Sequence, residues 1–470
     1  MPLLSDVLGK KPQHDSRKVE RGDVFVAIKG TAQDGTRFAP MAVEMGASAI
    51  VSESAIDTVD VPVIEVANAR RALVELAAAY YTQQPQHIMA VTGTNGKTSV
   101  ADFCRQFCAA AGEKSASIGT LGWNGDTTFL GDAFGANNTS PDPLLLHKGL
   151  QQLAEHDVQY AALEASSHGL DQIRLDGARI TSAAFTNLSH DHLDYHKDMQ
   201  HYLQAKLRLF AELLPEGAPA IIHADDGYSA KFIEVARARN HRITTVGTHG
   251  IDLRIDTLRP VAEGIATELE CWGTKHTITL PLYGAFQVSN ALVALGLVVA
   301  EGLDKDAAFA TLPNLRGVPG RLQHIAEHNG ALIFIDYAHT PDALQTILLT
   351  LRPHCEGKLH VVFGCGGDRD KTKRPEMGKV AARYADSAIV TDDNPRSEDA
   401  ATIRSEIMAA CPDATEIAGR AEAIAHAVQQ LESGDVLVVA GKGHEDYQII
   451  GEQTLHFNDA EQIREAVSSS

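Results

Sequence analysis

The first stretch with recognisable chemistry is a short apolar run followed by a glycine-rich turn. The turn and the residues after it are Gly93, Thr94, Asn95, Gly96, Lys97, Thr98 and Ser99. A strand that runs through such a turn into a helix presents backbone N–H groups and a partly positive helix end to a phosphate. Lys97 adds a full positive charge, and the Thr98 hydroxyl can hold Mg²⁺. The stretch therefore predicts a site for nucleotide phosphates.

This loop differs from the common P-loop pattern in length. That pattern places a first glycine five residues before the second, and the corresponding position here is Val91. The alternative interpretation is an ordinary strand, turn and helix with a chance lysine. We favour the phosphate site, because two glycines, a lysine and a threonine occur together at the start of a helix without a breaker.

A second group of reactive side chains lies between residues 164 and 206. Histidines and aspartates crowd into 186–201, so a zinc site is one interpretation, although the segment has neither a His-Glu-x-x-His motif nor a thiol pair. A solvated entry to a helix is another. We favour a third, in which Glu164 and His192, at the ends of neighbouring strands, help hold Mg²⁺ beside the phosphates. Lys206 alone resembles a surface lysine on a helix.

Two loops in the last third of the chain carry arginine. Gly364, Gly366 and Gly367 suggest a dinucleotide fingerprint, but Arg369 stands where the third glycine belongs. We therefore interpret this loop as a turn that presents Arg369 to an anion. Residues 393–396 (Asp393, Asn394, Pro395 and Arg396) form the second cationic loop, with a simple Asn-Pro turn as the alternative.

Composition restricts the class of protein. The 470 residues predict two to four domains, and the net charge of −20 argues against a general affinity for nucleic acid or an anionic membrane. Six scattered cysteines without a Cys-x-x-Cys pair are typical of a reducing cytoplasm. The sequence has neither a secretory signal nor an apolar stretch of membrane-spanning length. We therefore expect a cytoplasmic protein without membrane insertion.

The elements that must position these residues alternate between strand and helix, which predicts α/β domains. We expect domains at 1–86, 87–318 and 319–470, with Gln83–Gln86 as the first linker. Several predicted strands end in the polar loops described above. In parallel sheets these ends meet at one edge, where catalytic residues lie.

Together these blocks resemble the Mur ligase family of ATP-dependent amide-forming enzymes, whose central part folylpolyglutamate synthetases share. The matching blocks, in order, are 93–99, 164–169, 186–194, Ala205 with Lys206, Asn290, 319–321, 336–342 and 364–370. Residues 393–396 and 441–445 are similar to the branch that adds meso-diaminopimelate. The resemblance covers nearly the whole chain.

The resemblance implies three α/β domains: one for UDP, a central P-loop-type parallel sheet for ATP, and a Rossmann-like C-terminal domain for the amino acid. It implies that ATP phosphorylates the D-glutamate carboxylate of UDP-MurNAc-L-Ala-D-Glu, and that the amine of meso-diaminopimelate attacks the acyl phosphate, as a step of peptidoglycan precursor synthesis. It also implies Mg²⁺, a carbamylated Lys206 that serves as a metal ligand, and a monomer.

The family's functional residues are carried over by position. Catalysis is assigned to Lys97, Glu164, His192 and Lys206, and metal binding to Thr98, Glu164, His192 and carbamylated Lys206. ATP is expected to contact residues 93–99, Asn290, Arg321, Asp336 and His339. The UDP-linked substrate is expected to contact Ser16, the 31–33 turn, Asn138, Thr139, Ser140, Ser166, Gln172 and Arg174. Diaminopimelate is expected to contact Arg369, Asp393, Asn394, Pro395, Arg396, Gly441 and Glu445.

Some positions depart from the family pattern, and two other functions stay open. His223 and Gln287 stand where relatives often have asparagine, and Ser140 lies in a loop that often reads Thr-Thr-Pro. The nearest alternative is a lysine-adding or folate-glutamylating ligase of the same family. An alternative of a different class is a P-loop NTPase that acts as a conformational switch and lacks the anion-binding loops.

Overall fold

The computed structural model describes residues 3–30, 33–131, 134–135, 138–192 and 195–469. Contacts divide the chain into two compact units. The first comprises Met1–Ile255, Glu270–Thr274 and Ser289–Leu312, and the second comprises Asp256–Leu269, Lys275–Val288 and Pro313–Ser470.

The first unit begins with a small parallel sheet of order β1-β2-β3-β4. Its strands are β1 Pro12–Gln13, β2 Val24–Val26, β3 Ala49–Ser52 and β4 Val63–Glu65, and its helices are α1 Ala39–Glu44 and α2 Ala69–Tyr80. Apolar side chains of β2, β3 and α2 form the core on one side of this sheet. The predicted α/β character of this region is confirmed.

A larger sheet carries the glycine-rich loop. Its strands are β5 His87–Thr92, β6 Ser115–Gly119, β7 Gly122–Gly125, β8 Tyr160–Glu164, β9 Ser182–Phe185, β10 Pro219–His223, β11 Arg242–Gly247, β12 Leu253–Val261, β13 Gly264–Cys271 and β14 Thr274–Leu280. The strand order is β14-β13-β12-β11-β10-β9-β5-β8-β6-β7, and the strands from β11 to β6 are parallel. The division between the units passes through β12, β13 and β14.

Helices follow most of these strands. They are α3 Lys97–Ala110, α4 Pro143–Glu155, α5 Ser167–Asp171, α6 Met199–Arg208, α7 Ser229–Ala238, α8 Ala285–Ala300 and α9 Lys305–Thr311. β5 is buried from Ile88 onward and β8 along its whole length, and their central residues are apolar, as expected for parallel strands that are covered on both faces. Cys104 and Cys108 are buried on the core-facing side of α3.

The second unit contains a sheet of order β15-β16-β20-β17-β18-β19, in which only the β15–β16 pair is antiparallel. Its strands are β15 Gln323–His328, β16 Ala331–Asp336, β17 Leu359–Phe363, β18 Ser387–Val390, β19 Thr415–Glu416 and β20 Val436–Ala440, and a hairpin of β21 Tyr447–Ile450 and β22 Gln453–His456 follows. Its helices are α10 Pro341–Leu351, α11 Lys373–Tyr384, α12 Ala400–Met408, α13 Arg420–Gln429 and α14 Asp459–Ser469. The predicted open α/β sheet with polar loops at its carboxyl edge is confirmed.

Within the described part of the chain, no helix combines the length and the apolar character that crossing a membrane requires.

Candidate active site

The glycine-rich loop connects β5 to α3 and is fixed by the loop that follows β9. Thr186 Oγ1 donates to the Asn95 carbonyl at 2.6 Å, and the Asn187 carbonyl accepts from Thr94 N at 2.8 Å. Gly96 has φ +86°, and a Cβ there would lie 2.4 Å from Asn290 Oδ1. Only glycine therefore fits at this position, because the left-handed backbone and the close approach both exclude a side chain.

Two lysines converge on one backbone oxygen of this loop. Lys97 Nζ donates to the carbonyls of Gly93 at 2.9 Å and Thr94 at 2.8 Å. Lys206 Nζ donates to the same Gly93 carbonyl at 2.7 Å. The predicted phosphate loop and the predicted catalytic lysine are therefore brought together.

Lys206 is almost fully buried, with 1% of its surface exposed, which excludes the surface-lysine interpretation. It lies one helical turn after the buried Tyr202, so both occupy the core-facing side of α6, and Nζ lies 4.6 Å from the Tyr202 ring centroid. Burial, and secondarily the charge of Lys97, lower the pKa of Lys206 well below the usual lysine value. Burial thus disfavours the protonated form of this side chain.

Glu164 ends β8 and is also buried, with 2% of its surface exposed. Its Oε1 accepts from Thr120 N at 2.8 Å, and the Thr98 hydroxyl forms another hydrogen bond with its carboxylate. Burial raises the pKa of Glu164, while the charge of Lys97 opposes this effect. A hydroxyl and a carboxylate, two of the oxygen ligands that Mg²⁺ prefers, therefore stand side by side.

The prediction that Glu164 and His192 follow neighbouring strands is wrong. β5 lies between β8 and β9, and it pairs Val91 with Glu164 on one side and Thr92 with Phe185 on the other. The chain reaches β9 by crossing over β5, and the sequence order of strands does not reveal such a crossover. The two residues therefore flank the glycine-rich loop instead of standing next to each other.

His192 itself is half-exposed, with φ +53° and its Nε2 3.4 Å from Asp191 Oδ2. Its ring centroid lies 4.9 Å from that of His168 and 6.2 Å from that of Tyr202, and the Tyr202 hydroxyl is 3.0 Å from Thr94 Oγ1. Within the residues that the structure describes, no group of three His, Cys, Asp or Glu side chains is arranged to hold a metal. An ion here would therefore need ligands from bound phosphate as well.

Most residues predicted to bind the UDP-linked substrate form one network beside Glu164. Ser140 Oγ donates to the Glu164 carbonyl at 2.9 Å and accepts from Ser166 N at 2.9 Å. Arg174 donates to the Ser140 carbonyl at 3.1 Å and to Gln172 Oε1 at 2.7 Å. Thr139 joins through Thr120, whose hydroxyl lies 3.1 Å from its own.

Asn138, Ser16 and the 31–33 turn are the other members of that predicted set. Asn138 lines a pocket of 120 Å³ together with Gln172, Arg174 and Arg70 of α2. Ser16 is buried, with Oγ 3.5 Å from Met41 Sδ. In the 31–33 turn only Gln33 is described, so the predictions for residues 31 and 32 lie outside the described residues.

Three of the predicted ATP residues surround the end of β16 in the second unit. The Asp336 carboxylate accepts from the backbone N–H groups of Leu322 and Ala338, both at 2.7 Å, and burial raises its pKa. Arg321 stacks over Tyr337 at 5.0 Å, and His339 Nδ1 lies 2.8 Å from the Tyr337 carbonyl. Asp336 therefore fixes the backbone immediately after Arg321 and immediately before His339. Asn290, the other predicted ATP residue, belongs to the first unit.

The two arginine loops meet at the carboxyl ends of β17 and β18. Arg396, at φ +52°, donates to the Gly367 carbonyl at 2.9 Å, and Pro395 is buried against Gly367. Arg369 is exposed, and its guanidinium donates to the Asp368 carbonyl at 3.2 Å. The loop after β20 approaches the same edge.

That third loop supplies a carboxylate. Asn394 Nδ2 donates to Glu445 Oε2 at 3.0 Å, and Asp393 lies close to Gly441. Lys442 of the same loop was not predicted as a site residue, and its buried Nζ donates to Asn394 Oδ1 at 2.9 Å. Its position between Gly441 and Glu445 was the one sequence feature that pointed to a role in the site. Its burial could not be predicted, because a lysine in a polar loop is normally exposed.

Comparison with known proteins shows the family to which this fold belongs. Models of the Mur ligase family match residues 13–81 (catalytic domain), 91–298 (middle domain) and 320–443 (glutamate ligase domain). A protein of Bradyrhizobium diazoefficiens, named UDP-N-acetylmuramoyl-L-alanyl-D-glutamate--2,6-diaminopimelate ligase, is 49% identical over 97% of this chain and 94% of its own length. A protein of Agrobacterium fabrum with the same name is 50% identical over 97% and 92%.

Solved structures are also similar. A structure of a UDP-N-acetylmuramoyl-L-alanyl-D-glutamate--2,6-diaminopimelate ligase has a TM-score of 0.74 and 35% identity, covering 98% of this chain and 94% of the other. The fold is shared with the MurF ligase of Thermotoga maritima in complex with ADP, at a TM-score of 0.61, 20% identity, and 99% and 98% coverage. This chain belongs to the Mur ligase family of ATP-dependent amide-forming ligases.

Proposed function

We propose that the chain adds meso-diaminopimelate to the D-glutamate of UDP-MurNAc-L-Ala-D-Glu, with ATP converted to ADP and phosphate, in peptidoglycan precursor synthesis. Relatives that are about half identical over nearly their whole length carry the name of this activity. We further propose the domain boundaries 1–86, 87–318 and 319–470, with the UDP end held by Ser16 and residues 31–33.

One observation carries the choice of amino acid. The guanidinium of Arg396, the amide of Asn394 and the carboxylate of Glu445 are gathered at one edge of the sheet in the second unit. Compared with lysine, diaminopimelate has a further carboxylate on its distal carbon. A guanidinium matches that carboxylate with two parallel hydrogen bonds, while Glu445 balances the ammonium.

Phosphoryl transfer from ATP requires that electrostatic repulsion between two anions be offset. A carboxylate and a triphosphate must approach each other, and both are anions. Lys97, the N–H groups of residues 93–99 and the N-terminus of α3 offset their repulsion and the charge that develops during phosphoryl transfer. Asn290 of the first unit is also proposed to contact ATP, and so, separately, are Arg321, Asp336 and His339 of the second unit.

The residues around Gly93 are suited to a magnesium ion. Thr98, Glu164, His192 and a carbamylated Lys206 would hold Mg²⁺, which neutralises phosphate charge when bound. Carbamylation requires a neutral amine, and burial lowers the pKa of Lys206 and so shifts it toward that form. The neutral Lys206 nitrogen attacks CO₂, so that a bond between nitrogen and carbon forms while one carbon–oxygen π bond breaks and its electron pair moves onto oxygen. One N–H proton passes to water, and the neutral amine becomes an anionic carbamate.

The acceptor side is assigned to the hydroxyl and amide network beside Glu164. Asn138, Thr139, Ser140, Ser166, Gln172 and Arg174 would hold the muramoyl dipeptide, so that its D-glutamate faces the glycine-rich loop. Every proposed site is built from residues of one chain, so we propose a monomer as the working unit. ATP and UDP-linked precursors are cytoplasmic metabolites, and the enzyme is assigned to the cytoplasm.

Phosphate release by the purified full chain tests the proposal. With ATP, Mg²⁺ and UDP-MurNAc-L-Ala-D-Glu, we expect release with meso-diaminopimelate and much less with lysine or without an amine. Equal release with lysine would replace the proposal by a lysine-adding ligase. Release of phosphate without any amine acceptor would favour a nucleotide-driven switch.

A further inference from the structure

Lys442 is fully buried although it stands in a polar loop directly after β20. Its Nζ donates to Asn394 Oδ1 at 2.9 Å and to the Tyr447 carbonyl at 2.8 Å. Two carboxylates are also near, with Asp393 Oδ1 at 3.4 Å and Glu445 Oε2 at 3.9 Å. One ammonium therefore connects the loop after β18, its own loop and the first strand of the hairpin.

These contacts determine the orientation of the Asn394 amide. Asn394 Oδ1 accepts from both Lys442 Nζ and Ile449 N, the latter at 3.0 Å. With its oxygen held by two donors, the amide directs Nδ2 toward Glu445 Oε2 at 3.0 Å. The Glu445 carboxylate is therefore held by Asn394, and Asn394 is held by Lys442.

We propose that Lys442 is a positioning residue of the amino-acid pocket, which fixes Asn394 and Glu445 so that they receive the ammonium group of a zwitterionic amino acid. The inference rests on the proposed function, because it assigns Lys442 to the amino-acid site of that reaction. Lys442 affects the substrate only indirectly, because its buried Nζ is already surrounded by the protein groups that it contacts.

The charges in the pocket support this role. Lys442 neutralises one of the two carboxylates, Asp393 and Glu445, which leaves one negative charge for one incoming ammonium. Burial and Asp393 raise the pKa of Glu445, and Lys442, Asn394 and Arg396 lower it. The other charged or titratable groups that interact with Glu445 are Tyr337, Tyr447 and Arg420.

Loss of the ammonium has two separable consequences. The Asn394 amide loses the donor that fixes its orientation, so amino-acid binding weakens. The pKa of Glu445 rises further, so its carboxylate is protonated at a higher pH and no longer balances the substrate ammonium. A residue that supported only the fold would not produce the second effect.

The test compares Lys442→Met with His360→Gln in the full-length enzyme. His360 Nε2 lies 3.1 Å from Asp435 Oδ2 in a buried pair at the amino ends of β17 and β20, so its loss perturbs the same sheet at the opposite edge. For Lys442→Met we expect kcat/KM for diaminopimelate to fall roughly tenfold to a hundredfold, mainly through KM. The KM values for ATP and the UDP-linked substrate stay unchanged, and the acidic limb of the diaminopimelate pH profile moves to higher pH.

For His360→Gln we expect lower stability with unchanged KM values and an unchanged pH profile. An unaltered KM for diaminopimelate in Lys442→Met, or a change shared with His360→Gln, overturns the inference. If Lys442→Met does not fold, Lys442→Gln retains a donor for Asn394 without the charge, and an unshifted acidic limb in that variant overturns it equally. A wild-type enzyme that does not use diaminopimelate would instead remove the proposed function.

Discussion

The two units each bury a lysine, and the surroundings of these lysines differ. Lys206 Nζ donates to the Gly93 carbonyl, and no carboxylate among the described residues lies within ion-pair distance of it. Lys442 lies within 4 Å of Asp393 and Glu445 and donates to Asn394. Burial lowers both pKa values, but only at Lys442 do adjacent carboxylates oppose this effect strongly.

The difference shows how one residue type serves two kinds of chemistry. A buried lysine without a nearby anion favours its neutral form and therefore acts as a nucleophile. A buried lysine among carboxylates keeps its charge and organises them. Exposure alone does not distinguish the two cases, since both side chains are nearly inaccessible.

The largest effect is expected from Lys206→Gln, which removes the nucleophilic amine at nearly unchanged volume. Ligase activity should fall roughly 10²- to 10³-fold, the typical cost of losing one group that stabilises transition-state charge. Phosphate release measures this, with Lys231→Gln on the exposed face of α7 as the control. Near wild-type turnover in Lys206→Gln would contradict the role of this lysine.

Arg396→Ala should have the next largest effect. Loss of a guanidinium that pairs with a carboxylate should lower kcat/KM for diaminopimelate about 100-fold, with little change in the KM for ATP. Steady-state kinetics with each substrate varied in turn measure both values. Arg383→Ala, on an exposed arginine of α11 over Tyr384, is the control. Unchanged diaminopimelate kinetics in Arg396→Ala would remove the assignment.

Replacing each buried lysine with methionine should change stability in opposite directions. Lys442→Met leaves two carboxylates without their cation and should cost about 3–5 kcal/mol. Lys206→Met removes a buried amine that has no carboxylate within ion-pair distance among the described residues, and it should stabilise the metal-free, CO₂-free protein at pH 7 by about 1 kcal/mol. Denaturant unfolding of both variants against wild type measures this.

The pH dependence provides a further check on Lys206. Its folded-state pKa is below the unfolded value, so between the two values the unfolded chain binds more protons and wild-type stability rises with pH. The advantage of Lys206→Met should therefore shrink as pH rises toward about 10.4. An advantage that is independent of pH would indicate that Lys206 is charged in the folded protein.

The smallest effect is expected from Gly96→Ala. The new Cβ would meet Asn290 Oδ1, and the strained loop should raise the KM for ATP about tenfold. Gly112, at the other end of α3, has a similar φ of +81° but open space around it. Gly112→Ala should therefore cost about 1 kcal/mol of stability without a change in the KM for ATP. Equal ATP kinetics in both variants would contradict the tight fit at Gly96.

Local patterns in the sequence predicted the elements that carry the site. The apolar runs before Gly93, Gly364 and Gly441 are buried parallel strands, and polar loops follow each of them. Such runs are informative because a strand covered on both faces must be apolar throughout. The assignments of substrate-binding residues stay predictions until kinetics test them.

Relations between distant segments were not predictable in the same way. Glu164 and His192 were wrongly predicted to follow neighbouring strands, because strand order depends on crossovers that no local sequence pattern encodes. The residues around Lys206 predicted a surface lysine, family resemblance alone implied a functional role for it, and Lys442 was not recognised. Both burials follow from tertiary packing, since the charge of a lysine predicts exposure by default.

The central position of β5 restricts how this enzyme can change. Its loop is bracketed by two parallel partners in fixed register, with Val91 opposite Glu164 and Thr92 opposite Phe185. Deleting one residue from β5 would shift Lys97 by about 3.3 Å and exchange the faces of every preceding side chain. Insertions and deletions are therefore tolerated in the outer loops of the sheet and excluded from this strand. The number of residues between the start of β5 and Lys97 must stay constant, because it sets the position of Lys97 relative to the residues that follow β8 and β9.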